Sequence, residues 1–357
     1  MSKYWNHTTR SLTPYVPGEQ PRNRRYIKLN TNENPYPPSP SVLCAISRAA
    51  NEDLRLYPDP NARELIEVIA KARKVSPDQV FVGNGSDEIL AFAFQAFFDE
   101  ARPVCFPDIT YSFYPVYAEL YKVPYTLIPL NEDFSIPVTV LAAQNSSILI
   151  ANPNAPTALA LSTEDIRILL TANIDRVVII DEAYIDFAGE SSASLVNEFP
   201  NLLVIHTLSK SYALAGLRVG NAIGNPELIE GLNRIKNSFN SYTLDRLALA
   251  GAQAAIKDED YYKLTISRII HTRNETIRKL TAMNFYVTDS KSNFIFISHP
   301  AVEAKYICEQ LRNAGILVRH FDRPKINNFL RISVGTDEEM EEVVQQLRSI
   351  IYEDRGD

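Results

Sequence analysis

From about residue 61 to residue 245, two hydrophobic periods alternate along the chain. Leu65, Ile66, Ile69 and Ala70 recur at helical spacing, as do Ile89, Leu90, Ala93, Phe94 and Phe97. Between such stretches lie short, nearly unbroken apolar runs at Val80–Val82, Pro103–Phe106, Ser147–Ala151, Val177–Ile180 and Leu203–His206. A strand with one wet face alternates, whereas an unbroken run suits a parallel strand covered on both faces. Helices interleaved with such strands predict a doubly wound α/β sheet. After about Asp245 the texture changes. A long helical stretch, Leu247 to Met283, precedes strand-like segments at Asn293–Ile297, Gly315–Arg319 and Leu330–Val334, and a closing helix from Asp337 to Tyr352. This predicts a smaller α+β domain. The first forty residues are rich in proline and asparagine, which predicts no regular helix there. They read as an extended arm joining the small domain, followed by a helix from Pro40 to about Asn51. The expected division is an arm over 1–40, a large domain over 41–245 and a small domain over 246–357.

Composition narrows the classes. The 357 residues are 45% hydrophobic and 22% charged, with a net charge of −7, which is ordinary globular material without a general nucleic-acid surface. No apolar run is long enough to span a bilayer, and Met1 to Arg10 lacks an apolar signal core, so the cytoplasm is the expected compartment. Cys44, Cys105 and Cys308 are scattered and odd in number, which argues against a disulfide framework or a zinc site and for buried apolar roles. The five histidines form no metal-like cluster. His206 reads as a buried strand residue, and His7, His271, His299 and His320 as surface or pocket rim.

Four segments at predicted strand ends carry candidate chemistry, where open α/β sheets gather their sites. Gly83-Asn84-Gly85-Ser86-Asp87-Glu88 reads as a glycine turn with Ser86 capping a helix, and equally as a backbone cradle for a phosphate. Asp181, closing the run Val177–Ile180, is a costly acid to bury without a partner; a protonated pyridine nitrogen would be one, a metal or a helix end another. Tyr184 follows it closely. Lys210, in Thr207-Leu208-Ser209-Lys210-Ser211-Tyr212, sits among small and apolar residues that would free its amine for covalent attachment to a carbonyl. Thr207, Ser209 and Arg218 offer hydroxyls and a charged fork for a phosphate. Asn152-Pro153-Asn154-Ala155-Pro156-Thr157 reads as a turn whose asparagines could also donate to a ring oxygen.

Taken in order, these segments resemble the fold type I aminotransferases that depend on pyridoxal 5'-phosphate (PLP), and among them the histidinol-phosphate aminotransferase family of the class II subfamily. Leu29–Pro37, Tyr57-Pro58-Asp59, Tyr111-Ser112-Phe113-Tyr114 and Leu330-Arg331-Ile332-Ser333-Val334-Gly335 extend the resemblance over nearly the whole chain. It implies a three-layer PLP-transferase large domain with a mostly parallel sheet. It also implies a role for each matching residue. Lys210 would bind PLP and shuttle the proton, Asp181 would partner the ring nitrogen, and Tyr184 would donate to the ring oxygen. Tyr111 would stack on the ring. Gly85, Ser86, Asp87, Thr207, Ser209 and Arg218 would form the phosphate cup, reached by Tyr57 from a second subunit of a homodimer. Arg331 would grip the acidic end of the substrate, with Arg319 and Tyr15 around its phosphate.

The implied reaction passes the amino group of L-histidinol phosphate to 2-oxoglutarate, giving imidazole acetol phosphate and L-glutamate, in histidine biosynthesis. A threonine-phosphate decarboxylase, an aromatic amino acid transaminase and a non-catalytic PLP-fold binding protein are the alternatives. Where the family often has asparagine before Pro-Thr-Gly, this chain has Ala155, and Ala158 replaces the glycine. Asn154, or failing it Asn152, is therefore expected to reach the ring oxygen. The family pattern also leads us to expect a cis Ala155–Pro156 peptide.

Overall fold

The computed structural model describes residues 2–21 and 24–352. Its centre is a seven-stranded sheet in the order β2-β8-β7-β6-β5-β3-β4. These strands are β2 (Val80–Asn84), β3 (Val104–Pro107), β4 (Tyr125–Ile128), β5 (Ser147–Ala151), β6 (Val178–Asp181), β7 (Leu202–Thr207) and β8 (Val219–Gly224). β8 runs antiparallel to both neighbours, and the remaining pairs are parallel. Every residue of β3, β5, β6, β7 and β8 is buried, as two-sided coverage by helices requires. Phe81, Phe94, Leu149 and Leu203 pack in the layer on one side, and Ile148, Ile180, Leu169 and Val204 in that on the other.

A second sheet, β12-β13-β10-β9, is antiparallel. It comprises β9 (Tyr286–Val287), β10 (Phe294–Ser298), β12 (Arg319–His320) and β13 (Leu330–Ser333). The arm is stitched beside it. β1 (Ile27–Lys28) pairs in parallel with β11 (Ile316–Leu317), and Ser333 N–H donates to the Leu29 carbonyl at 2.9 Å. The small-sheet core includes Ile269, Leu280, Ile295, Ile332 and Leu347.

Several expectations need correction. The arm was expected to hold no regular helix, yet His7–Ser11 form a short one, whose N-terminus Asn6 caps by accepting from Thr9 N–H. Gly83 and Asn84 belong to β2 rather than to a turn, and the helix Gly85–Phe97 starts directly after, so Ser86 lies in its first turn and is not its cap. The helical stretch after Asp245 is two helices, Arg246–Lys257 and Glu259–Thr281. Asp258 breaks them. Its backbone N–H bonds the Ala254 carbonyl of the first, and its side chain accepts from Tyr261 N–H of the second. Cys44 is exposed, not buried. His299 is buried, its ring packed edge-on against Phe285. β4 and β8 had no apolar run to announce them: β4 is an edge with three exposed residues, and β8 carries two glycines.

Candidate active site

A cavity of about 560 Å³ opens at the carboxyl ends of β5, β6 and β7, walled by the arm on one side and by β12 and β13 on another. Asp181 ends β6 at its floor, only 4% exposed. Tyr114 donates its hydroxyl to Asp181 Oδ2 at 2.8 Å, and Ala183 N–H donates to Oδ1 at 3.2 Å. Burial raises the Asp181 carboxyl to about 6, against the pull of those two hydrogen bonds. An acid in this state gains from a cationic partner.

The sign of that shift gives a test. A carboxyl whose folded pKa lies above its unfolded value stabilises the fold fully at low pH and loses that stability as pH rises through the folded value. Asp181→Asn is therefore expected to stabilise the cofactor-free protein by about 2–3 kcal/mol above neutral pH. Thermal melts should show this gain shrinking as pH falls through about 6. A gain that is constant with pH would contradict it.

At the far end of the cavity β2 and β8 bring glycines together. A Cβ on Gly220 would stand 2.6 Å from the Gly85 carbonyl carbon, and one on Gly85, whose φ is +77°, 2.5 Å from an Arg218 nitrogen. This close approach leaves the amides at the start of the helix Gly85–Phe97 beside the Arg218 guanidinium. Arg218 donates to Ser209 Oγ at 3.4 Å and pairs with Asp87 at 3.1 Å; Thr207 Oγ1 donates to Ser209 Oγ at 2.9 Å. Helix start, two hydroxyls and a guanidinium together form a cup suited to a phosphate. Tyr111 lies above it and donates to Asp87 Oδ1 at 2.9 Å.

Lys210 projects into the middle. Its Nζ donates to the Thr31 carbonyl at 3.2 Å and lies 5.8 Å from the centre of the Tyr184 ring. Beside it, Glu33 accepts from Lys28 and Thr31. Burial would raise the Glu33 carboxyl, but these bonds and the charges of Lys28 and Lys210 outweigh it and hold the group below the usual range.

Opposite stands Arg331 on β13. It donates to the Asn30 carbonyl at 3.0 Å, its buried Nε has no partner among the described residues, and burial lowers its guanidinium. Arg319 lines the same wall over the Phe321 ring at 6.0 Å, and among the described residues it makes no ion pair with Asp322. Tyr15 closes the mouth, stacked on Phe113 at 4.7 Å.

Thirteen of the expected residues thus converge on one place, and three, Asn152, Asn154 and Tyr57, do not. Asn154 is wholly buried behind the wall. Its Oδ1 accepts from Thr110, and its Nδ2 donates to the Ile109 carbonyl and to Thr157. Asn152 is likewise spent on the backbone of Leu161. Neither reaches the cavity; Ala155 and Pro156 face it instead. The Ala155–Pro156 peptide is cis, and so is Asn152–Pro153. Tyr57 is 79% exposed and stacks on Tyr242 at 4.6 Å, outside the cavity of its own chain. The sequence reading missed Tyr114, three positions after Tyr111 in the same aromatic run, and Asn32 and Glu33 within the arm.

Comparison with known proteins agrees with this geometry. The family model described as aminotransferase class I and II matches residues 24–347. The histidinol-phosphate aminotransferase of Clostridium beijerinckii is 55% identical over 98% of both chains. That of Clostridium acetobutylicum is 54% identical over 98% of this chain and all of its own. A crystal structure of histidinol-phosphate aminotransferase from Sinorhizobium meliloti with PLP superposes with a TM-score of 0.89 over 99% of each chain at 24% identity, which speaks for the fold. The chain belongs to the class I and II aminotransferase family, in its histidinol-phosphate aminotransferase branch.

Proposed function

We propose that the chain transfers the amino group of L-histidinol phosphate to 2-oxoglutarate, forming imidazole acetol phosphate and L-glutamate in histidine biosynthesis, with PLP held on Lys210. The observation that carries this reading is the pair Arg319 and Arg331. Both are cationic and line one wall, and among the described residues neither has a carboxylate partner. Two anionic substrates must use one pocket in turn, and a guanidinium fork accepts phosphate or carboxylate.

The cavity fits the cofactor on its own evidence. The glycine cradle leaves room beside Arg218 that a side chain would fill, and at the opposite end Asp181 is an acid without a cationic partner among the described residues. Bound PLP supplies an electron sink for the pair released when the substrate Cα–H bond breaks. The protein does the rest. Gly85, Ser86, Asp87, Thr207, Ser209 and Arg218 would bind the phosphate end, and Asp181 would hold a proton on the ring nitrogen by its negative charge. Tyr184 would donate to the ring oxygen and Tyr111 cover the ring face. Lys210 Nζ would take the proton from Cα and later return it. Arg331 would orient both substrates, while Arg319 would pair with the substrate phosphate and Tyr15 would lie beside it.

Leu54, Leu56, Tyr57, Phe239 and Tyr242 are all exposed. Such a surface favours a homodimer that covers it. Tyr57 would then complete the neighbour's cup. Mixing inactive Tyr57→Ala and Lys210→Ala chains is expected to restore partial activity, since one hybrid site is intact. No recovery after verified subunit exchange would refute shared sites. No described helix is long and apolar enough to cross a membrane, which accords with a cytoplasmic enzyme.

A panel of amino donors with 2-oxoglutarate tests the substrate assignment. Histidinol phosphate should give glutamate far faster than phenylalanine or tyrosine; a preference for the aromatic amino acids would overturn it.

A further inference from the structure

Asn32 lies where the arm, both sheets and the cavity meet. It is 1% exposed and has a left-handed φ of 57°, which asparagine tolerates better than most side chains. Its backbone N–H donates to Ser333 Oγ at 2.8 Å, so the serine proton is free to go to Asn32 Oδ1, 3.1 Å away. That pair orients the amide and leaves Nδ2 facing the Tyr184 hydroxyl at 3.0 Å. Asn293 Nδ2 secures the Asn32 carbonyl at 3.0 Å, and the Phe294 ring holds the Tyr184 ring edge-on at 5.0 Å.

An amide NH₂ can only donate. The Tyr184 oxygen is therefore an acceptor towards Asn32, and its own proton must point elsewhere. We propose that Asn32 is a positioning residue that commits the Tyr184 proton to the cavity, where it meets the ring oxygen of bound PLP. Asn152 and Asn154 are both spent in the wall, so neither shares with this hydroxyl the task of donating to the ring oxygen. The device also links Tyr184 to β13 through Ser333, so the small sheet and arm must be docked for the proton to be aimed.

This inference rests on the reading of PLP at Lys210, and the two can fail separately. The probe is the pH titration of the visible absorbance of PLP-loaded protein. A donor to the ring oxygen draws negative charge away from the proton shared between that oxygen and the lysine nitrogen. It lowers the pH at which that proton leaves, and losing the donor raises it. The charged and titratable groups around the hydroxyl are Lys210, Asp181, Arg331, Glu33, Tyr111 and Tyr114. All are unchanged in the variants.

Tyr184→Phe should raise the midpoint by about one pH unit. Asn32→Asp, which has a similar shape but accepts the tyrosine proton, should raise it at least as much. Asn32→Gly, which tolerates the left-handed backbone, should raise it by about half a unit and add nothing in a Tyr184→Phe background. Ser333→Ala keeps Asn32 but releases its amide, and should shift the midpoint the same way. An unshifted midpoint in Asn32→Gly and Ser333→Ala with a normal visible band would overturn the proposal. So would an equal Asn32→Gly shift with and without the Tyr184 hydroxyl. Wild-type protein with no visible band at any pH would instead refute the PLP reading, and this inference with it.

Discussion

Lys210→Ala is expected to lower the transamination rate by about four orders of magnitude, because in the proposed role one side chain would both anchor the cofactor and move the proton. The amine is placed for this. It is half-buried, its Nζ donates to the Thr31 carbonyl, and among the described residues it has no carboxylate in ion-pair range. Lys28, the rival amine nearby, is bound to both Glu33 oxygens. Lys210→Arg should not rescue, since a guanidinium stays protonated and cannot take a proton. Borohydride reduction of the PLP-loaded protein should fix the label on the peptide holding Lys210. A label on Lys28, or an alanine variant keeping more than about a hundredth of the rate, would contradict the assignment.

Arg331→Ala should weaken both half-reactions by roughly a hundredfold in catalytic efficiency, the usual consequence of stranding one partner of a charged hydrogen bond. Arg319→Ala should harm the histidinol-phosphate half-reaction more than the glutamate one. The difference follows from placement. Arg331 is the deeper group, with an Nε that has no partner among the described residues and a guanidinium weakened by burial, so an anion of either substrate would restore it. Arg319 lies on β12, across the strand register from Arg331, nearer the segment that carries His320 and Phe321. Rapid mixing with each substrate separates the two effects. Arg319→Ala leaving both half-reactions unchanged would remove it from the phosphate site.

The α/β layering was legible because β5, β6 and β7 are buried on both faces and their sequences are unbroken apolar runs. β8 was not, because its glycines answer to packing. Gly220 is there to let the Gly85 backbone approach, a contact across 135 positions that no local period encodes. Lys210, Asp181 and Arg331 stood out in the sequence because each has a chemical type that its motif calls for, and the fold brings all three to one cavity. Asn154 misled for a physical reason. An asparagine after a strand can serve a ligand or its own turn, and here Thr110 and the Ile109 carbonyl consume both ends of the amide. Asn32 was hidden because its partner Ser333 lies 301 positions away.

The central claim is that histidinol phosphate is the amino donor. Its most direct test is a single-turnover half-reaction. PLP-loaded protein mixed with histidinol phosphate alone, without an acceptor, should lose its visible band in proportion to the imidazole acetol phosphate formed and regain it on adding 2-oxoglutarate. Threonine phosphate should release no carbon dioxide under the same conditions. Release of carbon dioxide from threonine phosphate, with the band unmoved by histidinol phosphate, would contradict the account and make the chain a decarboxylase.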